Sequence, residues 1–365
     1  MSGLEGDRTE CDTPRIARRE DDASVGLALV WTRRRWCRSA VGWVAGGLSL
    51  GGSVTGCGPS DDHADTLTLA AYSVIRDAMR EAVLPRFQAW FRQQTGRPVR
   101  FEESYGPSGA QSRALASGLD ADVALLSHVG DVRPLVRAGL VAQDWDSPPG
   151  GVVAESRVVI VHRPGNPWRL ERFTDLARPG LQLVFPDPKT SGGARWNLNA
   201  VYGAALREGW SPSDIDHLFQ GLRRNVVTLD ASARHSLMVF EDGLGDAALT
   251  YENEVLLQHR RARERNRTPL PYFTPLHTLI VETPAAILER SVERHGTRDL
   301  ARSFLEFLRS DPGQDALAEF GFRRLRVDRP PDAWTIDELG GWEEVAQRLY
   351  GPEGVWTRAL LNLRA

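Results

Sequence analysis

The sequence predicts an α/β protein with parallel or mixed sheets and helices on both faces. Two observations carry this. Short apolar runs alternate repeatedly with helical patterns bounded by capping serines and stop glycines. The composition, 365 residues with 41% hydrophobic and 25% charged, is that of a folded chain with material for two domains or one large one. It excludes a disordered, collagenous or polytopic membrane protein. A formal net charge of −3 gives no electrostatic case for non-specific nucleic-acid binding. Among 45 basic residues Lys189 is the only lysine; a preference for Arg carries no functional message by itself.

Residues 1–30 are polar without apolar periodicity. Thr32-Arg33-Arg34-Arg35-Trp36-Cys37-Arg38 then precedes an uncharged stretch, 39–56, rich in Gly and Ala. A basic head, a mildly apolar middle and small residues before a cysteine describe an export signal over 1–56. The stretch is too short and glycine-rich for a spanning helix. Val54-Thr55-Gly56-Cys57 resembles a lipobox, with Cys57 as the lipidated first residue, and Arg33-Arg34 resembles a twin-arginine signal. Of Cys11, Cys37 and Cys57, cleavage would leave only the lipidated one, so no disulfide, thiol nucleophile or cysteine metal site is expected.

After a polar linker, 57–65, residues 66–71 read as a strand. Ser73 is placed to cap a helix running to Gln94, with Gly96 as its stop. Residues 99–103 form the next strand, and Ser104-Tyr105-Gly106-Pro107-Ser108-Gly109 leads into a helix. A short buried strand at 123–126 follows, then a Pro/Gly break at 148–151 and a new series from 158–161. Residues 181–185 are a strand running into Pro186-Asp187-Pro188-Lys189-Thr190-Ser191-Gly192-Gly193-Ala194-Arg195-Trp196, where a helix starts that continues through Leu206. Residues 226–229 and 247–251 are further strands, Ser232 caps the helix between them, and 260–267 is a charged connection. No repeat of 20–50 residues is present.

Three strand-to-helix loops share one design, a small hydroxyl residue followed by Gly or Ala and a helix start: Pro107-Ser108-Gly109, Thr190-Ser191-Gly192-Gly193 and Ala231-Ser232-Ala233. First-turn N–H groups lack intrahelical partners and carry partial positive charge, so such loops suit anions; plain capping explains each one singly.

The run Pro186-Asp187-Pro188-Lys189-Thr190-Ser191-Gly192-Gly193-Ala194-Arg195-Trp196-Asn197 resembles the signature of the periplasmic sulfate- and thiosulfate-binding proteins of ABC importers. Glu103-Ser104-Tyr105-Gly106-Pro107-Ser108-Gly109, Tyr251-Glu252-Asn253-Glu254, Asp311-Pro312-Gly313-Gln314 and Gly340-Gly341-Trp342 support it, and the likeness spans about Leu67 to Trp342. The resemblance implies a two-lobed type II binding-protein fold with the ligand cleft between lobes: 66–154 and 259–365 in lobe one, the latter with C-terminal helices, and 155–258 in lobe two. It implies a monomer that holds a dehydrated oxyanion by neutral donors, partnered by a permease and its ATPase, with no catalysis, cofactor or metal. By motif position Ser108 contributes from lobe one. Ser191, Gly192 and Gly193 contribute backbone N–H groups, Ser191 its hydroxyl as well, and Ala233 a further N–H. Arg195 and Arg234 stand behind the loops. Two departures are visible. Tyr251 stands where many members have Trp, and Tyr72-Ser73-Val74 where many have Tyr-Asp-Pro, offering Ser73 as an added donor.

Sulfate is a fully deprotonated dianion and needs donors only, whereas hydrogen phosphate wants an acceptor. Asp187 and Asp230 precede the helix starts, so no inward carboxylate is expected from the three loops, and sulfate or thiosulfate is favoured over phosphate, with another tetrahedral oxyanion such as phosphate or molybdate as the alternative ligand. Lys189 is expected to be exposed. No P-loop, nucleophile elbow or paired-histidine motif occurs. Glu252 and Glu254 would share one face on a strand, but are expected to cap or brace the helix that follows; the alternative is an enzyme or sensor on the same scaffold, with Ser191 or this pair acting on an anionic ester.

Overall fold

A computed structural model describes residues 65–148, 150–325 and 333–361. The export signal, the linker through 64 and Cys57 lie outside the described residues.

The first strand β1 (Asp65–Tyr72) feeds a continuous helical run: a 3-10 turn at Ser73–Ile75, α1 (Arg76–Ala78), a π segment at Met79–Val83 and α2 (Leu84–Thr95). Ser73 is the first residue of that turn and makes no capping bond there; the cap position is Tyr72, in extended conformation. Gly96 ends α2 in the left-handed region, φ 74°, as its lack of a Cβ allows. There follow β2 (Val99–Gly106), α3 (Ser108–Ala116), β3 (Val123–Leu125), α4 (Val129–Arg137) and the long β4 (Val152–His162). The second series is β5 (Leu183–Pro186), α5 (Gly192–Arg207), α6 (Pro212–Asn225), β6 (Val226–Asp230), α7 (Ala233–Glu241), β7 (Ala247–Tyr251) and α8 (Glu252–Glu264). Residues 260–264, expected in a charged connection, are helical: Arg260 lies over the Phe320 ring at 4.2 Å and pairs with Glu81, which gives a charged turn something to pack on. The chain closes with β8 (Tyr272–Phe273), β9 (Ile280–Ile287), α9 (Glu289–His295), α10 (Arg298–Arg309), α11 (Asp311–Ala318), α12 (Gly341–Tyr350) and α13 (Val355–Leu361).

Among the described residues the strand order is β2-β1-β3-β9-β4-β7-β5-β6, with β8 beside β4. One half-sheet has β1 parallel to β2 and β3; the other has β5 parallel to β6 and β7. The antiparallel pair β4/β9 joins them, from Val152↔Pro284 to Arg157↔Ile280. The helix-bearing loops of both halves open at the carboxyl ends of the parallel strands, where α/β sheets place ligands.

The buried strands read as nearly unbroken apolar runs, with Val158, Val159, Ile160 and Val161 all fully buried because both faces are covered. α5 is buried along most of its length, and Gly203 admits the Trp334 ring: a Cβ there would fall 1.6 Å from it. α12 reaches both halves. Trp342 meets His128 beside α4 and Trp196 in α5, and Tyr350 Oη donates to the Asn199 side-chain oxygen at 3.0 Å. No described helix is long and apolar enough to cross a membrane.

Candidate anion-binding site

Three helix starts converge. Ser191 caps α5, its Oγ accepting the Ala194 N–H at 3.3 Å, which leaves the first two amides, of Gly192 and Gly193, without an intrahelical acceptor. Ser232 caps α7 in the same way, accepting from the His235 N–H at 3.2 Å, so Ala233 presents the first amide there. α3 is docked on the α5 loop: the Gly109 N–H donates to the Thr190 carbonyl and Arg113 to the Lys189 carbonyl, each at 3.0 Å.

The glycines are required by crowding. A Cβ on Gly193 would lie 2.6 Å from the Ala233 Cβ, 3.4 Å from Ser191 Oγ and 3.5 Å from Tyr251 Oη. A Cβ on Gly192 would lie 2.6 Å from the Ser127 Cβ and 2.9 Å from His128 Cδ2. These distances gather Ser191, Gly192, Gly193, Ala233 and Tyr251 into one cluster. Ser108 joins it through Ser127, whose N–H donates to Ser108 Oγ at 2.8 Å. Ser108 donates its own hydroxyl proton to Asp131 Oδ2 at 2.6 Å. What it has left to offer an anion is the first amide of α3, not the hydroxyl. Burial, more than any charge nearby, holds the Tyr251 phenol well above its ordinary range, so it stays a proton carrier.

Ser73 is placed differently. Arg234 Nη2 donates to the Val74 carbonyl at 3.2 Å, which brings the turn after β1 beside the start of α7. Ser73 lines a cleft of about 650 Å³ there with Arg76, Tyr105, Arg234 and Glu254.

Both arginines brace loops. Arg195 Nε donates to the Pro188 carbonyl at 3.2 Å, with its guanidinium over the Tyr350 ring at 5.5 Å. Arg234 clasps Glu254 with two nitrogens and reaches Asp77 on the other half of the sheet. Burial alone would lower the Arg234 guanidinium, but Glu254 and Asp77 more than offset it, and the side chain is held firmly charged. Glu252 and Glu254 are not strand neighbours sharing a face: they occupy the first turn of α8, where carboxylates complement the helix dipole. Glu252 is paired with Arg157 and Arg323, and Glu254 with Arg234.

The carboxylates before the helix starts are engaged locally. Asp187 Oδ1 accepts the Lys189 N–H at 2.9 Å; Asp230 Oδ2 accepts the Thr228 and Ser236 hydroxyls at 2.9 and 2.8 Å. Lys189 is exposed.

Sequence reasoning gave no site role to one group: Ser127, His128 and Asp131, on and just after the short connection from β3 to α4, and Trp342 beside them. Ser127 Oγ is 2.8 Å from Tyr251 Oη, and its carbonyl accepts the Trp196 indole N–H at 2.7 Å. The His128 ring stacks on Trp342 at 4.2 Å, with Nε2 3.2 Å from Asp131 Oδ2. Burial pushes the His128 imidazole down to about 4, against the pull of Asp131. The only signal in the sequence was the polar pair Ser127-His128 interrupting an apolar run.

The chain resembles known proteins over most of its length. Residues 67–323 match the family model described as bacterial extracellular solute-binding protein. The sulfate-binding protein of Synechococcus elongatus is 33% identical over 90% of this chain and 97% of its own length. The thiosulfate-binding protein of Pseudomonas aeruginosa is 30% identical over 86% of this chain and 95% of its own. Among solved structures, the sulfate-binding protein SubI from Mycobacterium tuberculosis superposes with a TM-score of 0.69 at 34% identity, covering 78% of this chain and 99% of that one. The chain belongs to the bacterial extracellular solute-binding protein family.

Proposed function

We propose that this protein captures sulfate, or thiosulfate, outside the cytoplasm and delivers it to an ABC-type importer, without itself catalysing a reaction. One observation carries the reading. The starts of α5 and α7, with the Ser191 and Tyr251 hydroxyls, gather at the two glycines where a Cβ would collide, and the start of α3 is tied to them through Ser108 and Ser127. Such a cradle offers aimed dipoles that need no reorganisation when an anion arrives, and charge-assisted bonds in a dry cleft are short and strong. The nearby carboxylate, Asp131, is satisfied by Ser108. A fully deprotonated tetrahedral anion is the natural occupant.

The mechanism is closure. Ser108 contributes from one half of the sheet, and Ser191, Gly192, Gly193 and Ala233 from the other, so an anion touching all of them favours the closed form. The permease then recognises that form. Residues 1–56 would export the chain, and lipid on Cys57 would tether a monomeric binder to the membrane. The sulfate- and thiosulfate-binding relatives support this ligand class.

Calorimetry with sulfate, thiosulfate, phosphate and molybdate tests it. Sulfate or thiosulfate should bind far below millimolar concentration; tight phosphate binding without sulfate binding would overturn the ligand assignment. Gly192→Val drives a branched side chain into Ser127 and His128 and should abolish sulfate binding, while retained affinity would move the site elsewhere.

A further inference from the structure

The start and the end of α12 are held by opposite halves of the sheet. Its end rides on the second half, and α13 with it. Tyr350 Oη lies 3.0 Å from Asn199 Oδ1 and 3.2 Å from the Arg195 carbonyl, both on α5. Trp356 is buried with its ring 6.3 Å from that of Phe185 in β5, and Arg358 pairs with Asp216 on α6. The start of α12 reaches the first half instead. There the Trp342 indole stacks on the His128 ring at 4.2 Å, and Glu343 pairs with Arg133 on α4. Trp196 of α5 stands edge-on to the same indole at 4.7 Å, so the indole is backed by the second half and faces the first. His128 in turn stands behind the cradle, its Cδ2 2.9 Å from where a Cβ on Gly192 would be.

The two attachments differ in strength. On the second half a half-buried tyrosine, a buried tryptophan and a helix-to-helix ion pair act together. On the first half the ion pair is open to water, with the Glu343 side chain 81% exposed, and such pairs are worth little. That leaves the stack, between the fully buried His128 and the buried Trp342. Neither ring makes a hydrogen bond among the described residues, although the His128 nitrogens and the Trp342 indole N–H are all out of water. Keeping an indole N–H dry without an acceptor opposes the contact, and stacking favours it. Parting the rings would rehydrate those groups, so the contact is poised to open, while the hydrogen bonds of Tyr350 hold the other end. Gly340 and Gly341, just before Trp342, both lie in the left-handed region, at φ 95° and 83°, a joint on which the first turn can swing.

We propose that α12 is a closure strap: it stays with the second half, and Trp342 docks on His128 when the halves meet, so Trp342 is a positioning residue that retains the anion without touching it. This rests on the reading that the halves close on sulfate. Wild type, Trp342→Ala and Trp342→Phe are compared in sulfate calorimetry and in release of radiolabelled sulfate into an excess of unlabelled anion. Trp342→Ala should weaken sulfate about tenfold, all of it as faster release, with the capture rate and the ligand-free melting temperature unchanged. Trp342→Phe keeps a ring to stack and should recover most of the loss. Unchanged release in Trp342→Ala, a loss carried by slower capture, or no recovery in Trp342→Phe overturns the proposal. Hydroxyl-radical footprinting reads the strap without a ligand. In ligand-free protein Trp342 should be oxidised and Trp356 protected, and sulfate should then protect Trp342. A Trp342 already protected in ligand-free protein makes α12 a fixed part of the fold and overturns the strap. The underlying reading fails separately: no sulfate binding, with Trp342 oxidised and Trp356 protected in ligand-free protein, keeps the strap and removes sulfate as the ligand.

Discussion

Burial pushes the His128 imidazole to about 4, far below an ordinary histidine near 6.5. Between those values the unfolded chain binds a proton that the folded chain refuses, so stability rises with pH across that window. The contribution is fully present above about pH 6.5 and is lost as pH falls through 4, with an upper bound of about 3 kcal/mol. Urea unfolding at a series of pH values should show this slope in wild type and a flatter one in His128→Phe. A second residue-scale prediction concerns Ala233. It is the first residue of α7, after Ser232 in extended conformation (φ −148°, ψ 159°). Proline is tolerated at that helix position and after that backbone. Ala233→Pro should therefore delete one N–H while leaving the melting temperature nearly unchanged, and weaken sulfate about tenfold or more by calorimetry, the worth of one hydrogen bond to a charge. The loops capped by Ser191 and Ser232 were legible because glycine and hydroxyl residues at helix starts have few other uses, while the start of α3 carries no side-chain cap and Ser108 turns its hydroxyl to Asp131 instead. Ser127, His128 and Asp131 were not legible, because nothing in a three-residue step from strand to helix announces which side chains turn inward.

At the scale of elements, Arg234 fastens α7 to α8 and to the helical run after β1 at once. Removing it leaves the fully buried Glu254 without its guanidinium, a loss of about 3–5 kcal/mol. Arg234→Met should lower the urea midpoint accordingly, and adding Glu254→Gln should recover part of it; an unchanged midpoint in Arg234→Met would mean the clasp contributes nothing. Most parallel strands and their helices were readable from apolar runs and caps. β9 was not, because Pro284 lies inside it and proline argues against a strand. The sheet admits it opposite Val152, where the register slips before Ala154 and no regular ladder bond is required. α8 was foreshortened in the sequence because an arginine-rich turn looks solvated until Glu81 and Phe320 are brought beside it.

On the scale of the whole molecule, the alternation of strands and helices announced an α/β fold, and the motif run over 186–197 announced its family. The meeting of the two halves was hidden in the tail. α12 follows a segment with no strand or cap signal, yet it lays Trp342 across the divide. Its indole stacks on His128, at 17° between planes, and stands edge-on to Trp196 at 4.7 Å. That stack gives the protein an optical gauge of its own. An indole wedged between the halves emits from a dry environment, and parting them would admit water and move its emission to longer wavelength. Adding sulfate at saturation should shift the emission to the blue in wild type, with the change largely absent from Trp342→Phe. If the variant responds as fully as wild type, the signal comes from another of the 11 tryptophans and the wedge is silent. Acid should dim the same signal, since a protonated imidazole quenches an indole stacked on it. One ring pair would thus report closure by its colour and the protonation of His128 by its brightness.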